Sequence, residues 1–176
     1  MAKEAPILTA DDWFIGEDKT LIFYVTTGKP VIIDVAAAQG DTELTIRPLV
    51  EALVLGDKIR LGNDIVTLTA SADVGDVTLS VSAISGSLPR GSVGYLVVDI
   101  SGWTFTWVLR ASSGGTVILS KSGSIQSAVN GVVEFTIADT DTDAMNSGTY
   151  YYAMRRTNDG SETVLAYGRA VLRRAA

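Results

Sequence analysis

The sequence predicts an all-β protein of the sandwich type, interrupted by a small barrel. Three observations predict it. Short runs alternate at period two in β-branched and aromatic residues, turn clusters separate those runs, and the middle of the chain repeats itself at an offset of 35 residues.

The alternation is clearest in five places. Leu21, Phe23 and Val25 alternate with Ile22, Tyr24 and Thr26, and Trp103, Phe105, Trp107 and Leu109 alternate with Thr104, Thr106, Val108 and Arg110. Val133, Phe135 and Ile137 alternate with Val132, Glu134 and Thr136, Tyr150, Tyr152 and Met154 with Tyr151, Ala153 and Arg155, and Thr163 to Val171 continues in kind. Successive strand residues face opposite sides, so this pattern marks half-buried strands. Between them stand Thr27-Gly28-Lys29-Pro30, Ser112-Ser113-Gly114-Gly115, Asn130-Gly131 and Asn158-Asp159-Gly160, residue types that favour turns. Only Leu49 to Leu55 and Asp139 to Asn146 read as short helical turns.

In the repeat, Gly40-Asp41-Thr42-Glu43-Leu44-Thr45-Ile46 aligns with Gly75-Asp76-Val77-Thr78-Leu79-Ser80-Val81. The match runs on without a gap: Leu49 falls on Ile84, Leu53 on Leu88, Gly56 on Gly91 and Leu61 on Leu96. Each copy presents half a hydrophobic surface, so the two are expected to pack face to face as a pseudo-twofold barrel, with Ile65 to Ala70 as the joining strand. Gly28 to Asp34 precedes the repeat and Val97 to Trp103 follows it. With the repeat cut out, these flanks read as one continuous β-domain. The expected organisation is a parent sandwich over 1–35 and 98–176, and an inserted barrel over 36–97 built from repeats at about 40–61 and 75–96.

Composition narrows the function. Hydrophobic residues make up 47% and charged residues 19%, and mean hydropathy is +0.27, so there is ample material for a core. No apolar run approaches the ~20 residues of a membrane helix. Met1-Ala2-Lys3-Glu4-Ala5-Pro6 carries no apolar signal region, so assembly in a cytoplasm is expected. Cys and His are both absent, which removes disulfides, thiolate nucleophiles, the commonest general base and any Ser-His-Asp triad. The net charge of −6 argues against nucleic acid as a partner. The positive excess sits at the end of the chain, in Arg155, Arg156, Arg169, Arg173 and Arg174, which form either a contact patch or a solvated strand face.

The flanks also carry a resemblance. Glu17-Asp18-Lys19-Thr20 stands before a strand, Asp99-Ile100-Ser101-Gly102 before the aromatic strand from Trp103, and an Asp-rich corner before Gly148-Thr149-Tyr150-Tyr151-Tyr152. This order resembles the immunoglobulin-like N-terminal domain of phage baseplate upper proteins and related tail-fibre-anchoring proteins. There a G-D-T strand start, a D-x-x-G bend, an aromatic strand and a D…G-x-Y-x-Y corner recur. The first motif departs here, with Glu-Asp-Lys-Thr in place of Gly-Asp-Thr. Ala36-Ala37-Ala38-Gln39-Gly40 with Leu44-Thr45-Ile46, closed by Leu53 to Ile59, is similar to a module that recurs in phage structural proteins. The resemblances imply an immunoglobulin-like sandwich with a virion role of assembly or attachment, and no chemistry. Such sandwiches use a corner Tyr that bonds backbone upstream, here Tyr150 or Tyr152, with Trp103 or Trp107 as the core aromatic.

Few side chains suggest chemistry. Asp139, Asp141 and Asp143 match the first three ligands of an EF-hand loop, but the sixth position is Ala144 and the twelfth Tyr150. An acidic turn capping its own amides is the competing reading, so no metal and no cofactor are expected. Asp11-Asp12 and Glu17-Asp18 read as a solvated edge. Trp13 and Phe14 either close the bottom of the sandwich or dock on a neighbouring subunit. Interface candidates are Trp13, Phe14, Tyr151, Arg155, Arg173 and Arg174. The expected protein is a non-catalytic structural component of a tailed-phage virion, binding other virion proteins in a symmetric homo-oligomeric assembly, in a tail, baseplate or fibre-anchoring position. The alternatives are a capsid decoration protein and a carbohydrate-binding module using the Tyr run.

Overall fold

The computed structural model describes residues 8–174, with side-chain surroundings from Trp13 onward. The described residues are nearly all β. In chain order they form β1 (Leu8–Phe14), β2 (Lys19–Tyr24), β3 (Thr26–Ile32), β4 (Glu43–Thr45), β5 (Lys58–Leu61), β6 (Asp64–Thr67) and β7 (Thr78–Ser80). There follow β8 (Val93–Val97), β9 (Phe105–Arg110), β10 (Val117–Ser122), β11 (Ser124–Ser127), β12 (Val132–Ile137), β13 (Gly148–Arg156) and β14 (Thr163–Arg173). Single 3-10 turns cover Ala128–Asn130 and Asp139–Asp141.

Two compact units result. One takes the described residues up to 23, 101–128 and 132–174; the other takes 24–100 with 129–131. The expected cut fell at 35/36 and 97/98. The second unit reaches further because β3 and β8 pair with each other, Thr26 opposite Val97 and Ile32 opposite Val93, and Val31 enters that unit's core. The Thr27 to Pro30 cluster, expected to be a turn, is a register shift inside β3. Gly131 belongs here too. Its carbonyl accepts from the Val25 N–H at 2.8 Å, its φ is +63°, and a Cβ would stand 2.7 Å from the Val25 oxygen and 2.9 Å from the Val98 oxygen.

In the first unit, one sheet has the order β1-β14-β13-β9-β10 and a second the order β11-β12-β2. β1 runs parallel to β14; the β14-β13, β13-β9 and β9-β10 pairs are antiparallel. The inward positions of the alternating runs meet between the sheets, a sandwich-like arrangement. Val133, Phe135 and Ile137 on β12 are fully buried, as are Trp107 and Leu109 on β9. Phe23 on β2 packs edge-on to Phe135 at 5.7 Å and reaches Tyr152 on β13 at 6.2 Å, and Tyr152 stacks on Trp107 at 6.2 Å and 22°. Burying each such ring contributes about 1.5–3 kcal/mol.

The second unit combines a four-stranded sheet of order β3-β8-β5-β6 with a two-stranded ladder, β4-β7. Its backbone obeys the offset of 35 as a pseudo-twofold axis. The bridge Ile33–Ile46 has its mate in Leu68–Val81, and Ala37–Leu88 has its mate in Ala72–Leu53. Leu44 pairs with Leu79, its own equivalent, so the axis runs through that pair. The core follows the same rule: Ile33 and Leu68, Leu44 and Leu79, Leu49 and Ile84, and Leu53 and Leu88 are all buried. It breaks at Ile59, whose equivalent is Gly94; a Cβ on Gly94 would stand 2.8 Å from the Ile59 side chain.

Four tight turns carry this symmetry: Ala38–Asp41, Val54–Asp57, Asp73–Asp76 and Pro89–Ser92. In each, the last N–H donates to the first carbonyl at 3.0–3.1 Å. The third residue is Gly at φ +87° to +96°, the left-handed position of a type II turn. In the first three, the closing Asp also accepts the N–H of the first residue, at 2.8 Å from Ala38, 2.9 Å from Val54 and 2.8 Å from Asp73. The fourth begins with Pro89, which has no N–H. Its closing residue is Ser92, whose hydroxyl donates instead to the Pro89 carbonyl at 2.7 Å. The stretch Leu49 to Leu55, expected to be helical, is not: bends at Val50 and Glu51 lead to a bridge in which Leu53 exchanges both hydrogen bonds with Ala72, and the Leu49 N–H donates to the Asp76 carbonyl at 3.0 Å.

Candidate functional site

The acidic corner between β12 and β13 is tied down by hydrogen bonds and an ion pair. The Asp141 carboxylate accepts the Ala138 N–H at 2.7 Å and pairs with Lys121 on β10. Lys121 holds the Asp141 carboxyl below the usual carboxylate range, desolvation opposes that, and the Ala138 amide adds to it. Asp139 turns its carboxylate to the Thr140 N–H at 2.6 Å, and its own N–H donates to Asp18 at 2.9 Å. Thr142, fully buried, accepts from the Gly16 N–H at 2.9 Å and donates to the Asp139 carbonyl at 3.2 Å. Asp139, Asp141 and Asp143 thus do not converge, and among the described residues no three Asp or Glu side chains are grouped to hold a metal ion. Asp11 and Asp12 lie in β1, and their side chains fall outside the described residues.

Of the two candidate tyrosines, Tyr150 bonds backbone upstream: its hydroxyl donates to the Asn146 carbonyl at 2.8 Å, closing the turn that delivers the chain to β13. Tyr152 lies in the core. Trp107 is the core aromatic, while Trp103 stays half-buried beneath the Arg156 guanidinium, 3.9 Å from its ring. Trp13 is 3% exposed and 6.1 Å from the Trp107 ring. It therefore belongs to the core and offers no surface to a neighbour. Phe14 is half-buried.

The remaining candidates lie on or beside the outward face of the five-stranded sheet. Strand pairing sets Arg110, Tyr151 and Arg169 in one row and Val108, Ala153 and Tyr167 in the next, with Arg155 opposite Thr106 beyond them. Tyr151 is half-buried, with the Arg169 guanidinium 5.7 Å from its ring. Arg155, Arg169 and Arg173 are exposed, and Tyr167 is 45% exposed. Arg110 hydrogen-bonds the Gly115 carbonyl. Arg174, exposed at the end of β14, reaches the Met145 carbonyl at 3.4 Å. The sequence alone singled out neither Arg110 nor Tyr167, because register, not sequence distance, brings them beside Tyr151 and Ala153.

The second unit holds an open groove of about 420 Å³ near Asn63, Asp64, Ser85 and Ser87. Its carboxylate is occupied. Asp64 accepts the Ser85 hydroxyl, the Ser85 N–H at 2.9 Å and the Gly86 N–H at 3.2 Å. The Ser85 hydroxyl holds the Asp64 carboxyl below its ordinary range, with desolvation opposing and the amides adding. Asp64, at the start of β6, is thereby fixed as an acceptor for the distant segment at Ser85 and Gly86.

No protein-family profile matches this chain, and no curated protein shows significant similarity to it.

Proposed function

We propose that the protein is a non-catalytic structural component of a tailed-phage virion, in a tail, baseplate or fibre-anchoring position. In this reading the first unit is an immunoglobulin-like sandwich and the second an inserted module. The observation that carries it is the corner between β12 and β13, where Tyr150 bonds backbone four residues upstream and Tyr152, two residues on, stacks on Trp107. A Tyr bonded to backbone upstream of it and a core Trp are among the features by which immunoglobulin-type sandwiches are recognised, here without the disulfide, and they lie in the motifs that resemble the baseplate domain. The strand orders β1-β14-β13-β9-β10 and β11-β12-β2 agree with a two-sheet sandwich of that kind. The dispersed carboxylates of the corner and the occupied Asp64 favour an assembly role over chemistry.

The test is addition of the labelled, purified protein to virions that lack it, followed by electron microscopy. Label confined to the tail tip is the expected result. Label spread over the capsid shell would make it a decoration protein, and label on neither would sink the virion reading.

A further inference from the structure

We propose that copies of this chain associate head to tail, the arginine-bearing outer face of the five-stranded sheet in one copy binding the acidic turns beside β4 and β7 in the next. The inference rests on charge and register, and holds or fails independently of the virion reading.

The face belongs to β9, β13 and β14. Its outward residues include Arg110, Arg155 and Arg169 around Tyr151 and Tyr167, and no carboxylate stands among the outward positions of those three strands. Val108, outward by the same register, is only 7% exposed. The result is a basic and aromatic surface on a chain whose net charge is −6. Arg and Tyr are also the types enriched where binding energy concentrates.

The second unit is the opposite. It carries nine Asp or Glu against five Lys or Arg. Three of the five bases are engaged within the unit: Lys58 donates to Asn130 at 2.8 Å, Arg60 lies 3.1 Å over the Tyr24 ring, and Arg90 pairs with Asp34 at 3.0 Å. Four of the nine acids are exposed beside the β4-β7 ladder, Asp41 and Glu43 at one end of it and Asp73 and Asp76 at the other.

A symmetric contact of the basic face with itself would bring arginines against arginines, and like charges facing across an interface are costly. The complementary surface lies on the other unit. A contact between two different patches is heterologous, and closes into a ring or runs on as a filament.

The experiment is sedimentation equilibrium of the full chain at low and high salt, with two charge-reversal variants. R155E/R169E reverses the face, and E43K/D73K reverses the turns while leaving the capping carboxylates of Asp41 and Asp76 in place. Wild type is expected to associate at low salt and dissociate at high salt. Each variant alone is expected to associate about tenfold more weakly, and an equimolar mixture is expected to regain wild-type association. Far-ultraviolet circular dichroism and melting confirm that each variant folds. A monomeric wild type at low salt, association indifferent to salt, or a mixture no stronger than its components would overturn the proposal.

Discussion

The four turns of the second unit make a quantitative prediction through the residue that breaks their rule. In the first three, the closing Asp accepts the first residue's N–H at 2.8–2.9 Å. A hydrogen bond to a charged group contributes about 1.5–3 kcal/mol when desolvated. These bonds are exposed, so about 1 kcal/mol each is the working figure, as for an exposed cap. D57A should therefore lower stability by about 1 kcal/mol. At the fourth turn Pro89 offers no N–H, so S92D should stabilise nothing; it removes the hydroxyl that donates to the Pro89 carbonyl. Restoring the donor changes the outcome. In the cycle of P89A, S92D and P89A/S92D, the double variant should recover about 1 kcal/mol more than the single effects sum to. The loss of Pro89's constraint on the unfolded chain appears in P89A alone and cancels in the coupling term. Urea unfolding followed by circular dichroism measures each value as a shift in midpoint at constant slope. A coupling near zero, or an S92D that stabilises by itself, would refute the idea that these carboxylates act through the first amide of the turn.

Further expectations follow from the packing. Leu44, fully buried on the pseudo-twofold axis against Leu79, should cost about 2–5 kcal/mol when replaced by Ala, read by the same unfolding assay. Y150F removes the bond to the Asn146 carbonyl and should cost about 0.5–1.5 kcal/mol; an unchanged melting temperature would argue against a structural corner. G131A meets both a positive φ and two backbone oxygens under 3.0 Å away, and should destabilise by more than the ~1 kcal/mol of an ordinary left-handed Gly-to-Ala change. Asp64 and Asp141 both have folded-state pKa values below their unfolded values. Their contribution is therefore full above the unfolded carboxylate pKa of about 3.9 and is lost as pH falls through the folded value. In D141N the decline of the urea midpoint below about pH 4 should be shallower than in wild type.

The sequence was legible where side-chain period and turn chemistry agree. Val133, Phe135 and Ile137 alternate at period two and all three are buried, so the pattern alone fixes their face. The repeat was legible because Gly40-Asp41 and Gly75-Asp76 carry a mechanism: glycine for the left-handed position and aspartate for the amide. Elsewhere local signals lost to tertiary ones. Thr27-Gly28-Lys29-Pro30 has the composition of a turn, but β8 lies alongside and the extra length is absorbed as a register shift. Leu49, Leu53 and their neighbours have helical spacing, yet their backbone groups are claimed by Ala72 and Asp76, which only the folded repeat brings near. The alternate carboxylates of Asp139 to Asp143 read as an acidic turn more than a metal loop, but sequence spacing does not reveal that Lys121 and Ala138 claim Asp141. The basic face was half visible: Arg155, Arg169 and Arg173 are close in sequence, but Arg110 joins them only through the pairing of β9 with β13.

The parallel pairing of β1 with β14 bears on how the first unit responds to force. Leu8 lies opposite Ala170 and, after a register shift, Trp13 lies opposite Leu172 and Phe14 opposite Arg173, where the Ile15 N–H donates to the Arg173 carbonyl at 2.8 Å. Because the two strands run the same way, the chain leads into β1 at one end of the pair and leaves β14 at the other. Tension carried in through the first strand and out through the last pulls them along their length in opposite directions. The hydrogen bonds between them are then loaded together, in shear, rather than one after another as in a hairpin opened from its ends. A pulling experiment on the whole chain should show a rupture at high force attributable to this pair, and the resistance would be mechanical, set by the unfolding barrier rather than by equilibrium stability.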